Sequence, residues 1–153
     1  MSKIKFIFIF IFLLFFTGVA DSEERIPENL EQAVNQLIAQ NSSVELKEWA
    51  SKELREAKVL AHRGMALGLR NEWGLWADSK LAIYFKSIGI DHPDDMSGII
   101  SSALWHRLNK KQYDLGADIK YYQDYWNKAL KKHNKFKNEN AASGSDASST
   151  RPF

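Results

Sequence analysis

Hydrophobic residues in this chain recur every three or four positions, the spacing that places them on one face of an α-helix. Between Pro27 and Gln40, one such stripe consists of Leu30, Ala33, Val34, Leu37 and Ile38. Pro27 stands in the first turn of the helix that this stripe predicts, where the missing N–H of proline leaves no helical hydrogen bond unmade. No segment alternates polar and apolar residues with the period of two that is typical of a half-buried strand. The pattern therefore predicts an all-α fold.

Four further stripes predict helices at Val44 to about Asn71, Ser79–Ile88, His92–Leu108 and Asp118–Lys137. Ser42 and Glu45 form a capping box at the start of the second helix. A pause is expected near Ser51. Gly64 and Gly68 either contact a neighbouring helix or interrupt the second helix, because each glycine costs about 1 kcal/mol relative to alanine. We predict a single compact bundle of about five helices.

The first twenty residues have the three-part composition of a secretory signal peptide. Lys3 and Lys5 precede the apolar run Phe6–Phe16, and small residues stand before a cut after Ala20. At ~1.5 Å per residue, the uncharged stretch is shorter than the ~30 Å hydrocarbon core of a membrane. We therefore predict that residues 1–20 are removed and that the remainder is exported, to be periplasmic or secreted.

The rest of the chain is expected to form one helical domain over residues 21–137. Residues 138–153 consist mainly of Ala, Ser, Gly, Asn and Asp. This composition offers little apolar surface to bury, so it is typical of a disordered tail.

Charge and cysteine content exclude several classes of protein. The chain has no cysteine, so it forms no disulfide and no zinc site of the thiolate kind. Its net charge is −4 over Asp21–Asn109 and +4 over Lys110–Phe153. This balance lacks the strong basic bias of nucleic-acid-binding proteins. Nucleic acid is therefore not among the expected partners.

The densest group of candidate binding residues lies in the predicted turn after the second helix. Arg70, Glu72, Trp73 and Trp76 surround Gly74. Trp and Arg are the residue types found most often as binding anchors. We predict that these four side chains line a ligand or partner surface. The alternative is structural, with both indole rings in the core and Arg70 and Glu72 in a surface ion pair.

His92, Asp94 and Asp95 occupy the segment that opens the fourth predicted helix. Together with His106 they would offer ligands to a metal ion or groups for acid–base catalysis. Adjacent carboxylates on a helix diverge by about 100°, however, and each favours the positive end of the helix dipole. The pattern therefore favours a helix start, and we predict no metal, no cofactor and no catalytic residue. If the two segments meet, these side chains extend the surface around Arg70.

Three motifs are long and specific: IPENLEQA at Ile26–Ala33, RNEWGLW at Arg70–Trp76 and HPDDMSGII at His92–Ile100. They resemble a bacterial family of domains of unknown function, whose members share the forms IPxNLEEA, RNxWGLW and HPDDMSGII. The resemblance covers about Ile26–Asn109. It implies an uncharacterised domain and carries no activity, cofactor or site residue over to any position.

Three functions remain open on the sequence alone. The first is a binding or protein-interaction module without catalysis, whose partner is a protein or small ligand of the cell envelope. The second is a small hydrolase or metal-dependent enzyme that uses His92, Asp94, Asp95 and His106. The third is an envelope protein whose uncleaved N-terminal segment contacts the membrane through Phe6–Phe16, with the fifth helix on the same membrane. We favour the first, since no nucleophile motif or phosphate-binding loop occurs.

Overall fold

Seven helices follow one another along residues 25–145, the part of the chain that the computed structural model describes. They are α1 (Leu30–Gln40), α2 (Ser43–Ala50), α3 (Leu54–Arg63), α4 (Met65–Glu72), α5 (Lys80–Ser87), α6 (Pro93–Leu108) and α7 (Leu115–Ser145). Strands do not occur in these described residues, which confirms the predicted all-α class. The predicted signal peptide, residues 1–20, lies outside the described residues, as do residues 146–153 of the predicted tail.

The prediction of about five helices is wrong, because the second predicted helix is interrupted twice. At the end of α2, Ser51 Oγ donates a hydrogen bond to the carbonyl oxygen of Glu48 at 2.7 Å, and the extended backbone of Glu53 then starts α3. Gly64, with φ −118° and ψ −100°, separates α3 from α4. Gly68, the second glycine considered as a break, lies inside α4. Three helices of eight to ten residues therefore replace one long helix.

The central element of the core is α6, which contacts each of the other six helices. Its large apolar side chains are fully enclosed: Met96, Ile99, Ile100 and Leu104. Complete burial of a side chain of this size contributes about 1.5–3 kcal/mol. Ser97, Ser101 and Ser102 are also buried. These small residues let neighbouring helices approach α6 on more than one face, so α6 has little of the polar face expected of a surface helix.

The last helix, α7, packs beside the start of α6 and then leaves the body of the domain. Ile119 and Tyr122 are partly buried against the core, whereas every side chain from 131 to 140 is exposed. The helix has 31 residues and continues to Ser145, into the segment that the sequence assigns to the tail. Within residues 25–145, no helix combines the length and the apolar character that crossing a membrane requires.

Two glycines should respond to alanine in opposite ways. Gly89 follows α5 with φ +80°, and a Cβ there would lie 2.4 Å from Nε2 of Gln123 on α7. We expect Gly89→Ala to lower the free energy of unfolding by about 1–2 kcal/mol, because a residue with a Cβ is strained in the left-handed region. At the control position, Gly68, a Cβ would lie 3.8 Å from Glu72 Oε1. Gly68→Ala should raise stability by up to ~1 kcal/mol through its helix propensity. Urea denaturation measures both shifts, and two shifts of the same sign would contradict this account.

Candidate functional site

The two segments that the sequence singles out are in contact. Arg70, in the last turn of α4, places its Nη1 3.1 Å from Oδ1 of Asp94 in the first turn of α6. The ring of Trp76 meets the ring of His92 edge to face, with 6.2 Å between the ring centroids. The turn after α4 and the start of α6 therefore form one continuous region of the domain.

Arg70 is a buried structural residue, and its predicted place on an open binding surface is wrong. Its side chain is nearly enclosed, and Nη1 also donates to Ser97 Oγ at 3.1 Å. Ser97 Oγ in turn donates to the carbonyl oxygen of Asp94 at 3.0 Å. The alternative prediction of a surface pair with Glu72 is wrong as well, because the carboxylate partner is Asp94. Arg70 thus fastens the start of α6 to α4.

The two tryptophans of the turn have different environments. Trp73 is 3% exposed and belongs to the main core cluster, whereas Trp76 is 60% exposed. Gly74 lies between them with φ +62°, the left-handed conformation that commonly ends a helix. This reversal sends Leu75 back into the core and Trp76 outward. The structural alternative therefore applies to Trp73, a core residue, and not to Trp76.

Glu72 lies away from the His92 region. It is exposed and lines a separate cavity of about 300 Å³ that also involves α1. Residues two apart on a helix point in directions about 200° apart. Because Arg70 points inward to Asp94, Glu72 points to another side of α4. The predicted grouping of these two side chains on one surface is therefore wrong.

A larger cleft of about 600 Å³ lies between the start of α6 and α7. We call it the α6–α7 cleft. Its lining residues are Gly89, Ile90, Asp91, His92, Asp95, Tyr122, Gln123, Trp126, Asn127 and Leu130. Most of its surface is apolar, and two of the predicted site residues, His92 and Asp95, belong to it. None of the lining residues comes from the predicted Arg70–Trp76 surface.

His92 stands between two indole rings at the edge of the cleft. Its ring stacks on Trp126, with 5.3 Å between centroids and 29° between planes, and Trp76 meets it from another direction. The backbone N–H of Asp94 donates to His92 Nδ1 at 3.2 Å, so His92 is the N-cap of α6. This capping bond fixes the orientation of the imidazole and leaves Nε2 as its other polar atom.

Asp95 is the buried carboxylate of the cleft. Its residue is 9% exposed, and the indole Nε1–H of Trp126 donates to Oδ2 at 2.6 Å. Burial raises the pKa of Asp95, and the hydrogen bond from Trp126 opposes that shift. The charges of His92 and Lys58 also lower this pKa, whereas the charge of Asp94 raises it. Asp95 thus connects α6 to α7 through a charge-assisted bond.

The α7 side of the cleft was missed by sequence reasoning. Tyr122 and Trp126 belong to the apolar stripe of the last predicted helix, Asp118–Lys137, and such a stripe favours packing against the domain. Burial raises the pKa of the Tyr122 hydroxyl, and a Cβ added to Gly98 would lie 2.5 Å from that hydroxyl oxygen. The absence of a side chain at Gly98 therefore lets α7 approach α6. A glycine in the second turn of α6 was the available signal for this close contact.

The arrangement argues against the enzyme alternative. Asp94 and Asp95 lie in the first turn of α6 and His106 in its last turn, so about 18 Å of helix separates them. His106 Nδ1 is instead 2.7 Å from the carbonyl oxygen of Ser102. Within the described residues, no group of three or more His, Asp and Glu side chains is placed to hold a metal ion. The enzyme alternative requires His92, Asp94, Asp95 and His106 to converge, and the structure places His106 at the opposite end of α6 from the other three.

Comparison with known proteins identifies the family of the chain. No curated protein and no solved structure matches it. The family model described as a domain of unknown function, DUF6794, matches residues 26–108. This match covers more than half of the 153 residues and includes the turn after α4 and all of α6, so the chain belongs to the DUF6794 family.

Proposed function

We propose that this chain is a binding module without catalysis, and that its ligand or partner occupies the α6–α7 cleft. The observation that carries the proposal is the composition of this cleft. Its volume of about 600 Å³ falls within the range of roughly 300–1,000 Å³ typical of ligand sites. Apolar and aromatic side chains provide most of its surface, and a few polar groups are held in fixed positions beside them.

The positions of those polar groups are set by the fold before any ligand arrives. His92 is oriented by its cap on α6 and by its stack on Trp126. Asp95 is held by the bond from Trp126 Nε1. A site whose side chains are already ordered loses less conformational entropy on binding. Trp76 contributes an exposed aromatic surface beside His92, which extends the site beyond the cleft.

A fragment screen followed by ¹H–¹⁵N NMR of the whole chain tests the proposal. Bound fragments should shift the resonances of His92, Trp126 and Leu130 together. Leu130→Ser should weaken their binding by about 10-fold, the effect of ~1.4 kcal/mol lost at the apolar end of the cleft.

The matched control for this screen is Leu67→Ser. Leu67 is exposed to a similar degree on α4 and does not line the cleft, so its replacement should leave binding unchanged. Fragments that cluster on another surface, or none that bind, would overturn the proposal.

We further propose that the protein is bacterial and exported, and that its partner is a protein or small ligand of the cell envelope. The support is the composition of residues 1–20, with Lys3 and Lys5 before Phe6–Phe16. Intact-mass measurement of the protein from its native host tests this directly. A mass that begins at Asp21 supports export with cleavage. A full-length mass in the membrane fraction would instead support an anchor through Phe6–Phe16.

A further inference from the structure

The two carboxylates of the α6–α7 cleft lack the ion pairs that neighbouring acids have. Asp94 is paired with Arg70 at 3.1 Å. Within the described part of the chain, Asp91 and Asp95 have no Lys or Arg nitrogen within 4 Å, and no Lys or Arg side chain lines the cleft. The cleft therefore combines two carboxylates with one basic side chain, His92, among its lining residues.

The helix dipole stabilises only one of these two carboxylates. Asp95 lies in the first turn of α6, where a carboxylate is stabilised by the positive end of the helix. Asp91 precedes the N-cap, so it does not occupy a turn of the helix. Lys58 acts on Asp95 electrostatically and lines a neighbouring cavity of about 230 Å³, to which Asp95 and Tyr122 also belong. Lys58 therefore offsets part of the charge of Asp95, whereas Asp91 has no Lys or Arg partner among the described residues.

Aromatic rings beside these carboxylates favour the same kind of ligand. Trp126 remains 40% exposed despite the stacked His92 ring. Tyr122 lines the same cleft, but the ammonium group of Lys58 already lies 5.8 Å from the centroid of its ring. A cation near the face of an indole ring is attracted by the negative charge of that face, and the attraction is stronger when the cation is desolvated. The bond from Trp126 Nε1–H to a carboxylate increases the electron density of the indole, which strengthens that attraction.

The aliphatic residues of the cleft determine the rest of the ligand. Ile90 lines the cleft from the core, and Leu130 on α7 is 58% exposed. A ligand that contacts both the carboxylates and the aliphatic side chains has an ammonium group and an apolar body of a few carbon atoms. We infer that the α6–α7 cleft binds an alkylammonium or arylalkylammonium group, presented either by a free amine or by a lysine side chain. This inference rests on the proposed function and specifies its ligand class.

Three probes of equal size and different charge test the inference. Benzylamine, benzyl alcohol and benzoate are titrated into the whole chain at low ionic strength, and the indole Nε1–H resonance of Trp126 is followed by NMR. We expect benzylamine to bind at least about 10-fold more tightly than benzyl alcohol, equivalent to ~1.4 kcal/mol. Benzoate should bind most weakly, because it would place a third negative charge in the cleft.

Charge-removing variants identify the groups responsible. Asp95→Asn keeps an oxygen acceptor for Trp126 Nε1–H and removes the charge. Asp91→Asn removes the other charge, on the exposed loop before α6. Each variant should reduce the preference for benzylamine over benzyl alcohol. Asp124→Asn is the matched control, since it removes a carboxylate from α7 that does not line the cleft. Asp91→Asn keeps the test valid if Asp95→Asn fails to fold.

The outcomes separate this inference from the proposed function. Equal binding of benzylamine and benzyl alcohol at the cleft would overturn the ligand class and leave the binding site intact. Equal losses in Asp91→Asn and Asp124→Asn would also overturn the class, since attraction would then depend on overall charge. Failure of all three probes, together with an empty fragment screen, would overturn both. Tighter binding of N-acetyl-lysine methylamide than of benzylamine would support the inference and indicate a lysine-bearing protein partner.

Discussion

Replacing Trp73 by alanine should lower the free energy of unfolding by about 3–5 kcal/mol. The indole is 3% exposed and belongs to the same buried cluster as Leu69 and Leu75. Alanine would leave a cavity that the surrounding helices cannot close, so both transfer free energy and packing contacts are lost. Urea denaturation followed by far-ultraviolet circular dichroism measures this loss.

The second tryptophan of the same turn is its matched control. Trp76 is 60% exposed, and its main described contact is the edge of the His92 ring. Trp76→Ala should therefore change the free energy of unfolding by no more than about 0.5 kcal/mol, the usual range for surface positions. Equal losses for the two variants would contradict the opposite orientations assigned to them on either side of Gly74.

Arg70→Ala is expected to have the next largest effect, a loss of about 2–3 kcal/mol. Removing one partner of a fully buried ion pair costs roughly 3–5 kcal/mol. The cost here is smaller because the Asp94 side chain is 41% exposed and water can reach it. The variant also removes the hydrogen bond to Ser97 Oγ, so the start of α6 loses its attachment to α4. Thermal unfolding should show a midpoint lowered by roughly 10 °C.

A surface arginine provides the comparison for Arg70. Arg107 pairs with Glu31 at 2.7 Å, a shorter distance than that of the Arg70 pair. The side chains of Arg107 and Glu31 are both largely exposed, however. Arg107→Ala should cost at most about 1 kcal/mol, since solvated pairs contribute little. If Arg107→Ala proves as destabilising as Arg70→Ala, burial is not what makes the Arg70 pair important.

The helical class could be predicted because it depends on local spacing. Stripes such as Leu30–Ile38 and Met96–Leu108 contain the period that defines a helix. The number of helices depends on breaks only a few residues long. Ser51 and Gly64 were recognised as possible interruptions, but sequence alone did not establish that a helix ends at each. Whether a glycine bends, ends or merely weakens a helix is decided by the elements that pack around it.

Only the α6 side of the candidate site could be predicted from the sequence. The sequence places His92, Asp94 and Asp95 together because they are neighbours at one helix start, and of these His92 and Asp95 line the cleft whereas Asp94 pairs with Arg70. The contacts of His92 and Asp95 with Trp126 join residues more than thirty positions apart and depend on the angle at which α7 crosses α6. A single sequence does not encode that angle in a readable local pattern.

The grouping of Arg70 with Glu72 failed for a geometric reason. The sequence predicts that the second helix ends at about Asn71, so that Arg70 closes the helix and Glu72 lies in the turn beside it, where neighbouring side chains can share a surface. The structure places both in the last turn of α4, where residues two apart diverge. Proximity along the chain is therefore a poor guide to a shared site unless the secondary structure is known to within one or two residues.

The position of α6 among all the other helices has a consequence for how the domain denatures. Both apolar clusters of the described residues contain α6 side chains, so neither cluster should persist once α6 is lost. Loss of structure should be all-or-none, with fluorescence and dichroism giving coincident transitions. The far part of α7 is the exception. Every side chain from 131 to 140 is exposed, so this part of α7 should fray and exchange its amide hydrogens well before the rest of the domain unfolds.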